Sequence, residues 1–70
     1  MELQQIINEI LAHFGTCQTI YFEYFLNNQI IDTNVYKNGK IKNPCYVKFS
    51  GYEVDTKHYI DVLYVRVDVE

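Results

Sequence analysis

Seventy residues with nine acidic and six basic side chains, a formal net charge of −3 and an apolar share of 49% describe one small domain, residues 1–70. That apolar share excludes a disordered chain. The acidic balance argues against life on a nucleic-acid backbone, where a strongly basic surface is the rule, and no apolar run is long enough to span a bilayer.

Glu2 to Phe14 predicts an amphipathic helix. Leu3, Ile6, Ile7, Ile10, Leu11 and Phe14 recur at helical spacing as one apolar stripe, while Gln4, Gln5, Asn8 and Glu9 fall on the opposite side. Glu2 favours the positive N-terminal end of the helix dipole and His13 the negative C-terminal end, and Gly15 supplies a terminating residue. No secretory segment precedes this helix, so a cytoplasmic location is expected, in the host cell if the chain is phage-encoded.

From Thr19 the period shifts to two and the residues become β-branched and aromatic. Thr19 to Leu26 is the first expected strand, with Ile20, Phe22, Tyr24 and Leu26 on one side and Tyr21, Glu23 and Phe25 on the other. Asn27-Asn28 is a turn, because Asn tolerates positive φ, and Gln29 to Lys37 forms a second, less apolar strand near an edge. Asn38-Gly39 suits a type I′ hairpin turn. Lys40 to Lys42 pairs back, Asn43-Pro44 interrupts, and Cys45 to Phe49 resumes the strand; Ser50-Gly51 marks a bulge before Tyr52 to Val54. The last strand, Tyr59 to Val69, is apolar on both alternating faces: Leu63, Val65, Val67 and Val69 point one way, and Ile60, Val62 and Tyr64 the other.

The architecture these elements imply is α+β, an α-β-β-β-β meander with the N-terminal helix packed on one face of a four-stranded antiparallel sheet. The helix stripe, Ile20, Phe22, Leu26, Val47, Phe49, Leu63, Val65 and Val67 make up the expected core. One helix covers one face only. The other face would carry Tyr21, Glu23, Phe25, Tyr46, Lys48, Ile60, Val62, Tyr64 and Arg66, a mixture of aromatic, aliphatic and arginine side chains typical of interfaces.

Lys37, Lys40 and Lys42 make the Asn38-Gly39 hairpin locally basic, as a phosphate-touching finger or as lysines that keep an edge strand soluble. Acidic residues gather at Glu53 and Asp55, and again at Asp61, Asp68 and Glu70, a pattern that could steer the chain to a basic partner. His13 and His58 have no nucleophile or metal ligand at useful spacing, and the three isolated glycines form no phosphate loop, so neither enzymatic activity nor a metal or cofactor is expected. Cys17 and Cys45 read as two reduced thiols.

These features point to a small, non-catalytic intracellular module that binds a protein or its own copy as a homodimer. Heavy use of Ile, Asn, Lys and Tyr suits a low-GC genome, which makes a phage or mobile-element inhibitor of a host protein, of anti-CRISPR or other anti-defence type, the most concrete form of that expectation. The alternative is a nucleic-acid-binding accessory protein that uses the lysine hairpin and the aromatic face. No membrane association is expected.

Overall fold

The computed structural model describes residues 2–15, 19–55 and 61–70. Helix α1 (Leu3–Phe14) starts one residue later than expected, because Glu2 is extended and acts as its cap. The Glu2 N–H donates to Gln5 Oε1 at 3.1 Å, which satisfies a main-chain donor at the helix entrance. At the other end Gly15 adopts φ 83° and ψ −167°, a region open to glycine alone, and its N–H closes the helix on the Leu11 carbonyl at 2.9 Å.

Among the described residues five strands follow: β1 (Thr19–Leu26), β2 (Gln29–Lys37), β3 (Lys40–Ile41), β4 (Phe49–Asp55) and β5 (Val62–Val69). Their order across the sheet is β3-β2-β1-β5-β4. The α+β class and the single N-terminal helix are as expected, but the four-stranded antiparallel meander is not. The sheet has five strands and is mixed: β5 runs parallel to β1, while the other neighbouring pairs are antiparallel. A strand apolar on both faces gains most from a central place, and β5 takes it by inserting between β1 and β4.

This topology requires the chain to cross from one sheet edge to the other between β3 and β4. Residues 42–48 make that crossing, so the expected strand from Cys45 to Phe49 is absent and only Phe49 belongs to β4. Pro44 has no N–H for a ladder, and the segment is held at the helix entrance instead. There the Leu3 N–H donates to the Cys45 carbonyl at 3.3 Å, and Tyr46 forms an isolated bridge with Glu2.

Both hairpin turns carry the backbone their residues favour. Asn27 and Asn28 have φ 52° and 63°, and Asn38 and Gly39 have φ 52° and 82°; two successive positive values match the right-handed twist of paired strands. The β1–β2 ladder slips by one residue beside Tyr24/Phe25, and β4 is bulged between Phe49 and Gly51, as Ser50-Gly51 predicts.

The core lies between α1 and one sheet face. Leu3, Ile6, Ile7 and Ile10 meet Ile20, Phe22 and Tyr24 of β1, Tyr36 of β2, Val65 and Val67 of β5, and Val47 of the crossing. Leu63 and Phe49 join at the margin. Leu26 and Phe14, expected inside, are 42% and 43% exposed because each lies at the end of its element, beyond the helix–sheet contact. Two polar residues, Thr19 and Asn34, are buried among the described residues, and Asn34 lies in this layer. Its Nδ2 donates to the Asn43 carbonyl at 2.8 Å and the Tyr24 hydroxyl at 3.4 Å, and its Oδ1 accepts from the N–H groups of Val35 (2.8 Å) and Asn43 (3.2 Å).

Candidate protein interface on the open sheet face

Alternation along β1 and β5 turns Tyr21, Glu23 and Phe25, and Val62, Tyr64 and Arg66, away from the helix. The register then sets them in rows across the sheet. One row runs Asp55–Tyr64–Tyr21–Val35, and the next runs Glu53–Arg66–Glu23–Thr33. The rings of Tyr21 and Tyr64 stack with centroids 5.1 Å apart and planes 21° from parallel. They remain 41% and 37% exposed, so an aromatic pair stands at the centre of a sheet face that the helix leaves uncovered.

Arg66 does not lie between the two glutamates of its own row. Its guanidinium lies 4.0 Å over the Phe25 ring, with Nε donating to Asp68 Oδ1 at 3.0 Å and Nη2 to Asn28 Oδ1 at 3.0 Å. The cation is thus committed to the β1–β2 turn and its neighbour in β5. Glu23 and Glu53 are left on either side with no hydrogen bond or ion pair among the described residues. An open hollow of about 560 Å³ lies there, lined by both glutamates, Asp55, Phe25, Tyr64 and Arg66.

The lysines occupy the opposite flank. Lys37 and Lys40 face each other across the Asn38-Gly39 turn, and the Lys42 N–H donates to the Val35 carbonyl at 2.9 Å. Lys42 shares a second hollow with Tyr21, Val35 and Tyr64. The open face is therefore basic at β3, aromatic at its centre and acidic at β4.

Of the residues expected on this face, the fold brings together Tyr21, Phe25, Val62, Tyr64 and Arg66. It does not bring Tyr46 and Lys48 there. Both belong to the crossing rather than to a strand: Tyr46 is 72% exposed beside the helix entrance, and Lys48 lies 3.9 Å from the Glu70 carboxylate. Ile60, Cys17 and His58 fall outside the described residues. Cys45 is a free, exposed thiol whose Sγ is 3.7 Å from the Tyr24 hydroxyl.

The chain matches no protein-family model, no curated protein and no solved structure. Among the described residues no three His, Cys, Asp or Glu side chains are placed to hold a metal ion, and no helix is long and apolar enough to cross a membrane. The Glu53 carboxylate was legible only as part of an acidic run; its place beside Arg66 and Glu23 depends on β4 pairing with β5, which periodicity does not encode.

Proposed function

We propose that this chain is a non-catalytic protein-binding module that acts by occupying a partner's surface with its open sheet face. The observation that carries this reading is the Tyr21–Tyr64 stack: two large side chains, each more than a third exposed, side by side at the centre of the face that the helix leaves uncovered. Tyrosine presents a broad ring with a polar tip at little entropic cost, which is why such residues concentrate in interfaces. The flanking Glu53 and Asp55 favour a partner with a basic rim, and inhibition of a host protein by blocking a basic channel is the most concrete form of this activity.

The test compares the parent chain with Tyr21→Ala and Tyr64→Ala. Light scattering over a range of concentrations and affinity capture from a low-GC bacterial lysate read self-association and foreign partners in turn. Either variant should retain the parent's circular dichroism and lose the association. Association unchanged in both variants would remove the open face from the function. The lysine flank beside the stack supports nucleic-acid binding as a second reading, which salt separates: phosphate binding collapses steeply as salt rises, whereas an aromatic-anchored protein contact loses mainly association rate.

A further inference from the structure

The two edges of the sheet differ in a way that points to a second mode of recognition. Along the part of β2 that β3 does not cover, two outward main-chain donors are already taken. Thr33 N–H donates to Asp32 Oδ1 and Val35 N–H to Asn34 Oδ1, both at 2.8 Å, and the register slip falls just before this stretch. Side chains that cap edge donors, together with a bulge, protect a strand from pairing with another chain.

The β4 edge has no such protection among the described residues. Which of its groups face outward follows from two hydrogen bonds. Thr19 N–H donates to the Asp61 carbonyl at 3.0 Å, so odd-numbered residues of β5 turn their main chain toward β1; Glu70 N–H donates to the Lys48 carbonyl at 3.0 Å, so even-numbered ones turn toward β4. In the antiparallel register Glu53 and Asp55 therefore bond to Arg66 and Tyr64, and Tyr52 and Val54 present N–H and C=O to the edge. Among the described residues no strand lies beyond β4 and no side chain caps these groups.

A second copy of β4 is a poor occupant. An antiparallel pairing that joins Tyr52 of one copy to Val54 of the other sets Glu53 directly against its own symmetry mate, and one that joins Val54 to Val54 sets Glu53 against Asp55. Like charges directly opposed in a ladder are destabilising. The remaining register, Tyr52 on Tyr52, drives the bulge before Gly51 into the new ladder.

We propose that the β4 edge takes up an extended segment of another protein as a sixth, antiparallel strand, and that this segment alternates basic with apolar residues. The inference deepens the protein-binding reading and rests on it. The partner residue opposite Glu53 stands in a non-hydrogen-bonded pair, where side chains approach most closely, and projects on the open-face side beside Glu53, at the outer rim of the acidic hollow. A lysine or arginine there meets the Glu53 carboxylate, which Arg66 leaves unpaired. Residues opposite Tyr52 and Val54 project to the helix side, where those two side chains already extend the apolar layer, so apolar groups fit. Main-chain bonds supply affinity in such strand addition, and alternate side chains supply specificity.

The test uses two short synthetic peptides, one alternating lysine with valine and one alternating glutamate with valine, and reads amide hydrogen exchange by NMR. The lysine peptide should slow exchange of the Tyr52 and Val54 amides about tenfold when present at about ten times its dissociation constant, and the glutamate peptide should not. Val54→Pro removes an outward donor that β5 does not use and should abolish the effect; Glu53→Lys, at an exposed side chain, should transfer the preference to the glutamate peptide. Equal protection by both peptides, or none at millimolar lysine peptide, overturns the proposal. Capture of a partner that is lost in Tyr21→Ala but unchanged in Val54→Pro and Glu53→Lys also overturns it, while leaving the open-face reading in place.

Discussion

Asn34 and Asn43 clasp each other through both ends of the Asn34 side-chain amide, Nδ2 to the Asn43 carbonyl at 2.8 Å and Oδ1 from the Asn43 N–H at 3.2 Å. This pair holds the chain where it leaves β3 to cross the sheet, so it sits at the pivot of the topology. Because Asn34 is buried, replacing it with alanine strands the Asn43 main chain and loosens the Tyr24 hydroxyl. Asn34→Ala should cost about 2 to 3 kcal/mol in urea unfolding, against about 1 kcal/mol for an ordinary lost hydrogen bond. A cost below that of an ordinary bond would show that the crossing does not depend on this clasp.

Burial holds the Tyr24 phenol well above the ordinary tyrosine range; the nearby Cys45 thiol adds to the rise, and the Asn34 amide offsets part of it. Tyr52 is raised too, chiefly because its hydroxyl donates to Glu9 Oε2 at 2.8 Å, with smaller contributions from burial and the Glu9 charge. In both cases the folded chain keeps a proton that the unfolded chain releases near pH 10, a pH of about the ordinary tyrosine value. The associated stability is complete below that pH and is lost as pH rises toward the folded values. Unfolding free energy should therefore fall above about pH 10, and Tyr24→Phe should flatten the fall. An identical slope in Tyr24→Phe would refute the assignment to Tyr24.

The Tyr21–Tyr64 stack is exposed, so its contribution to folding is small even if its contribution to binding is large. A double-mutant cycle with Tyr21→Ala and Tyr64→Ala should give a coupling near the lower end of about 0.5 to 1.5 kcal/mol. Coupling well above that range would mean that the pair is chiefly structural and that the two alanine variants lose binding by unfolding.

Arg66 links β5 to the β1–β2 turn through Asn28 while lying over Phe25. Lysine cannot reproduce the forked donors or the flat stacking surface. Arg66→Lys should cost no more than about 1 kcal/mol, since the Arg66 and Asp68 side chains are each more than a third exposed. Its clearer signature should be faster hydrogen exchange at Asn27 and Asn28, with core amides unchanged. Exchange at the turn that does not respond would show that the turn is held by its own backbone.

The elements with strictly local causes were legible in the residues. The helix followed from its apolar stripe and Gly15, the two hairpins from residues that tolerate positive φ, and the two faces of β1 and β5 from alternation alone. That is why Tyr21, Phe25, Val62, Tyr64 and Arg66 could be grouped from the sequence. Alternation misplaces Tyr46 and Lys48 on that face, because an apolar-polar pattern over Cys45 to Lys48 reads as a strand whether or not a neighbour is present to pair with it. The tertiary structure alone decided that these residues cross the sheet, that β5 lies parallel to β1, and that β4 is an edge strand among the described residues. Periodicity states which side of a strand is apolar; which strands become neighbours depends on how much surface each arrangement buries and on how far the connections reach, and both are properties of the whole packed chain.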